Sequence, residues 1–187
     1  FWRGRTYRDT RNYAAALADF TQAINLQPDN SDNYYWRGQT HLLLTHYTAA
    51  QADFTHVIQL NPEYASAYAR LALIALATND QTAAIHYMDI AIIKDPQDHL
   101  YHFWRARLHE TADNPAAAHT DHARAKELAI ATLRDDKNNW RAKLLLPLYR
   151  LAAGDPDRLN AQIGRLLKQN PPIYQINRIC LRSRPIW

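Results

Sequence analysis

The sequence predicts an all-helical fold, a stacked array of antiparallel helix pairs, and three observations carry that prediction. Pro28, Pro62 and Pro96 stand 34 residues apart, and each closes a segment in which the same residue types return at the same offsets. Glycine is rare, 4 in 187 residues, and no run alternates apolar and polar residues as a strand would. A fixed period of this length marks a supersecondary unit that cannot bury its apolar face alone and so stacks on its neighbours.

The first two copies align residue by residue. Gly4 falls on Gly38, Tyr7 on His41, Tyr13 on Tyr47, Ala16 on Ala50 and Phe20 on Phe54, and Ala23, Ile24 and Leu26 fall on Val57, Ile58 and Leu60. Each copy therefore reads as two helices: a small residue in the first lets the second approach, and large residues three and four apart fill the groove between them. The third copy keeps the small and apolar places, with Ala72, Ala75, Gln81, Ala84, Met88, Ala91 and Ile92 ahead of Pro96, and trades the aromatics away. A fourth spans roughly 98–136, with Arg105, Ala106 and His109 on its first helix and Ala118, His122 and Ala125 on its second. Ile130 stands where the closing proline is due, so good helix formers carry that helix on toward Asp135. A divergent fifth pair covers about 137–171, with Pro147 bending its first helix and Leu159, Ile163 and Leu166 striping its second. Residues 172–187 read as a partial cap, with Ile173, Ile176 and Cys180 on one side.

This pattern resembles the tetratricopeptide repeat. Tyr34, Arg37, Gly38 and His41 occupy the places of its helix A, and Ala50, Phe54, Val57 and Pro62 those of its helix B, with Arg37 standing where the family has Leu. The resemblance implies a right-handed α-solenoid forming one domain, with repeats near 1–29, 30–63, 64–97, 98–136 and 137–171. It also implies a concave wall made by helix A residues turned away from the core: Phe1, Arg5, Arg8, Tyr35, Gln39, Leu42, Arg70, Leu73, Phe103, Arg107 and Glu110. Arginines among aromatics suit acidic or aromatic peptide segments, because guanidinium groups grip carboxylates through two parallel bonds while rings supply area. Co-chaperones of this family hold a C-terminal carboxylate with Lys, Asn, Asn, Lys and Arg; Phe1, Arg5, Trp36, Ser66 and Arg70 stand at those places, and only the last matches. That argues against a chaperone-tail clamp.

The formal charge is +4, and Arg158, Arg165, Lys168, Arg178, Arg182 and Arg184 concentrate it at the C-terminal end. This patch offers an alternative contact for nucleic acid or for an acidic neighbouring domain. Phe1 and Trp2 open the chain inside a helix, and the only methionine is Met88, which suggests a piece of a larger protein whose other domains would be partners, or an edge for self-association. One cysteine excludes an internal disulfide and suits the cytoplasm, and no apolar run is long enough for a membrane span.

Nine histidines invite a metal reading, with His109, His119, His122 and Glu110 as the best cluster. His41, His109 and His122 are better explained as packing residues with one satisfied nitrogen, because they stand at places the repeat fills with aromatics. No P-loop, dinucleotide fingerprint or supported nucleophile–base set is present, so no metal, cofactor or catalysis is expected. The predicted function is a protein-interaction scaffold that binds a peptide or protein segment in its groove.

Overall fold

The computed structural model describes residues 1–152. Helices α1 (Trp2–Asp9), α2 (Tyr13–Leu26), α3 (Ser31–Leu43), α4 (Tyr47–Leu60), α5 (Ala65–Ala77), α6 (Gln81–Lys94), α7 (His99–Thr111), α8 (Pro115–Asp135) and α9 (Trp140–Ala152) follow in order. Each packs chiefly on its neighbours in sequence, so α1, α3, α5 and α7 are the first helices of successive pairs and α2, α4, α6 and α8 the second. The second helix of the fifth pair, the cap at 172–187 and the basic residues Arg165, Lys168, Arg178, Arg182 and Arg184 lie outside the described residues.

Local chemistry repeats with the same period. Asn12, Asp80 and Asn114 cap α2, α6 and α8 by accepting the backbone N–H groups of Ala15, Ala83 and Ala117. His46 holds the equivalent place before α4 and makes no side-chain cap bond. One residue earlier, Arg11, Thr45, Asn79 and Asp113 all adopt positive φ, between 55° and 65°. Each is followed by an N–H that reaches back five residues, from Asn12 to the Tyr7 carbonyl, His46 to His41, Asp80 to Ala75 and Asn114 to His109. The four turns from first to second helix are thus one motif, a left-handed residue closing the helix C-terminus, made without glycine.

Among the described residues α8 is the longest helix, ending at Asp135 where the sequence places its end. α9 continues through Pro147 to Ala152, so the proline interrupts one backbone hydrogen bond without ending the helix.

Within each pair the close approach is tight. A Cβ on Gly38 would lie 3.1 Å from Phe54 Cζ and 3.1 Å from Asp53 Cβ, and one on Gly4 would meet Phe20 and Asp19 at the same distance. Phe20, Phe54, Val57 and Met88 are wholly or almost wholly buried. One cluster joins the second and third pairs around Tyr35, Phe54, Val57, Leu71 and Ile74, a second joins the third and fourth around Ala72, Met88, Tyr101 and Leu108, and a third joins α7 and α8 to α9 around Phe103, Ala125, Ala129 and Tyr149. Tyr87 packs on the first and second clusters and Trp104 on the second and third, so from α3 to α9 the core is a continuous seam, as a solenoid requires.

Candidate binding face

Gly38 points at α4, and an α-helix turns about 100° per residue, so Trp36, two residues before it, points away from that contact. The same rotation defines a face on α1, α3, α5 and α7 that no second helix of its own pair covers. Trp2, Trp36, Arg70 and Trp104 recur on it at the repeat spacing.

Across the first two repeats this face is knitted by stacked cations. The Arg5 guanidinium carbon lies 4.3 Å from the centre of the Trp36 ring and 5.0 Å from that of Trp2, and the Arg8 carbon lies 4.3 Å from Trp36. Arg8 also pairs with Asp9 at 2.7 Å. Farther along, Gln39 and Arg70 are half-buried, and Arg107 is bound to Glu110, which also accepts from His122 Nε2 at 2.7 Å. Burial pushes the Glu110 carboxyl up, but the His122 hydrogen bond and the Arg107 charge together outweigh it, leaving the group below its ordinary 4.5.

Four residues expected on the groove wall are instead core. Tyr35 is 7% exposed and packs on Tyr64 and Phe54, with ring centres 4.9 and 5.7 Å away. Phe103 is 4% exposed and lies 5.2 Å from Tyr149 and 5.7 Å from His122. Phe103 stands at the same place in the repeat as Tyr35 and meets the second helix of its pair in the same way, with His122 where Tyr35 has Phe54. Leu42 and Leu73 are likewise buried against their neighbours. Phe1 leans on Phe20, with 6.1 Å between ring centres, and so belongs more to the edge of the core than to the wall.

Histidines expected to pack do so. His122 is 2% exposed, with Nε2 on Glu110 and Nδ1 buried without a partner, and His41 Nδ1 is likewise unpaired. His99 places Nδ1 2.8 Å from the Tyr149 hydroxyl, and burial holds its pKa below 6.5. Among the described residues no three His, Cys, Asp or Glu side chains are grouped to hold a metal ion.

Sequence reasoning missed a ladder of ion pairs. Arg3 grips Asp19, Arg37 grips Asp53 and Arg105 grips Asp121, in each case sixteen residues apart and at the same place in the repeat. Arg37 thus stands at the family's Leu place because its partner on α4 is an acid: Nη2 and Nε lie 2.6 and 3.0 Å from the two Asp53 oxygens. Arg105 binds Asp121 and also reaches Asp89 on the preceding α6, at 2.8 Å. In the third repeat Leu71 and Tyr87 stand at the paired places. The signal was present as a spacing of sixteen recurring in register with the thirty-four-residue repeat.

An array of helix pairs with one seam-like core and one uncovered helix face is an α-solenoid, a class of scaffold proteins. Two family models match the chain, one described as TPR repeat over residues 4–44 and one as Tetratricopeptide repeat over residues 44–99. The chain belongs to the tetratricopeptide-repeat family. Among solved structures, TTC0263, a thermophilic TPR protein of Thermus thermophilus, is 20% identical with a TM-score of 0.64, covering 95% of this chain and 93% of its own. MamA (residues 41 to the end) from Desulfovibrio magneticus RS-1 is 23% identical with a TM-score of 0.63, covering 68% of this chain and 72% of its own. The first TPR of Spaghetti (RPAP3), solved bound to the HSP90 peptide SRMEEVD, is 18% identical with a TM-score of 0.57, covering 59% of this chain and 88% of its own. No curated protein sequence matches.

Proposed function

We propose that this array is a protein-interaction scaffold that holds a segment of a partner along the uncovered face of α1, α3, α5 and α7, with no chemistry of its own. The observation that carries the reading is the lining of that face: half-buried Arg5, Trp36, Gln39, Arg70 and Arg107 line it at successive repeats. Such side chains pair area with directional donors, the combination that concentrates binding energy at interfaces. A similar fold solved with a peptide supports it. Among the described residues no helix is long and apolar enough to cross a membrane, and the single cysteine suits the cytoplasm.

The test is capture from source-cell lysate by the wild-type chain beside Arg5→Glu/Arg70→Glu/Arg107→Glu, after circular dichroism shows equal helix content. Loss of a specific protein by the variant is expected. Identical retention would move the interaction off this face.

A further inference from the structure

Arg5 is an unusual cation for so ordered a place. Its guanidinium lies between Trp2 and Trp36, its Nε is buried with no hydrogen-bond partner, and among the described residues it forms no ion pair. A guanidinium carries five donors; Arg5 as a whole is half-buried, and no acid of the described residues takes the donors that reach solvent, which leaves them open to an anion. Arg8 sits on the same indole, and its one acidic partner is Asp9, 63% exposed at the end of the same helix. Two positive charges therefore share one ring and one solvent-screened carboxylate.

The other acids on the first helices do not compensate. Asp32 accepts from the Tyr64 hydroxyl at 2.9 Å, α5 has none, and Glu110 is engaged by Arg107 and His122.

We propose that Arg5 and Arg8, seated on Trp36, form a subsite that takes an anionic side chain, carboxylate or phosphate, of an extended acidic segment of a partner protein. This rests on the groove reading of the preceding subsection and adds the chemistry of the occupant. Charge complementarity selects it. Two adjacent forks fit a phosphate, or carboxylates on neighbouring residues, better than one isolated acid. The anion belongs to a side chain, so a free chain terminus is not needed.

The test uses three fluorescein-labelled eight-residue peptides with blocked ends: one of glutamates, one of alanines around a phosphoserine, and one of lysines. Fluorescence anisotropy is followed at about 50 mM salt, where screening is weak. Either acidic peptide should bind and the lysine peptide should not, and the tighter of the two acidic peptides identifies the anion as carboxylate or phosphate. Arg5→Gln/Arg8→Gln should weaken that binding about tenfold or more. Arg5→Lys/Arg8→Lys, which keeps the charge and loses the flat fork, should weaken it as well. Arg134→Gln/Lys137→Gln, at the end of α8, removes equal charge elsewhere and should change it less than about twofold.

Absence of binding by both acidic peptides at roughly 1 mM, or equal weakening in the Arg134/Lys137 control, overturns the subsite. If Arg5→Gln/Arg8→Gln binds like wild type while the triple variant still loses its captured protein, the subsite falls and the groove reading stands. Thermal unfolding of each variant separates lost binding from lost fold.

Discussion

Replacing Arg37 by leucine leaves the Asp53 carboxylate, 5% exposed, without its partner against α3. Breaking a fully buried pair from one side costs about 3–5 kcal/mol, because the remaining charge stays desolvated. The Arg37 head is 23% exposed, so water reaches the site and the expected cost falls to about 2–3 kcal/mol. The third repeat shows the alternative, since Leu71 and Tyr87 fill the same two places and both lie in or against the apolar cluster with Phe54 and Val57. Arg37→Leu/Asp53→Tyr should therefore return to within about 1 kcal/mol of wild type, an interaction energy of about 2 kcal/mol in a double-mutant cycle. Urea unfolding followed by circular dichroism, with Asp53→Tyr alone as the fourth corner, measures it. A cost below about 0.5 kcal/mol for Arg37→Leu, or a double variant no better than the sum of its parts, would refute a buried pair whose partners depend on each other.

Thr45→Gly should stabilise by about 1 kcal/mol, because Thr45 is β-branched at φ 61° and glycine adopts that region without penalty; urea midpoints compare the two. Phe54→Ala should cost about 3–5 kcal/mol, since the ring is fully buried under Gly38, and it should lower the thermal midpoint more than any exposed substitution on α4. Stability should decline as pH falls below 6.5. Burial holds His99 and His41 below that value when folded, so the unfolded chain takes up the protons first; His99→Gln should flatten the pH 7.5 to 5.5 profile of the midpoint. Below pH 4.5 a second decline is expected as the lowered Glu110 and Asp121 carboxyls protonate, and Glu110→Gln should reduce it.

The helix pairs were legible because Gly4, Gly38, Phe20, Phe54 and the closing prolines impose the same packing in each copy, and packing is what periodicity encodes. The face was legible only in part. Arg5, Arg8, Gln39, Arg70 and Arg107 have polar ends that keep them partly at the surface. Tyr35 and Phe103 are mostly ring, and at the same place in their repeats they turn in against the second helix, onto Phe54 and His122, where apolar area is buried. Trp36 went unnoticed as a stacking platform because an indole reads as core until the arginines on the preceding helix are seen to lie on it. Arg37 looked like a departure from the repeat until Asp53 completed it.

The third repeat, where leucine and tyrosine replace the charged rungs on either side, divides the array by the forces that hold it. Its helices α5 and α6 meet through apolar contact at these places, whereas the repeats flanking it also rely on Arg37–Asp53 and Arg105–Asp121, pairs that hold only while both partners keep their charge. In a linear array each unit leans on its neighbours, so α5 and α6 give the repeats on both sides a partner whose own pairing does not depend on charge.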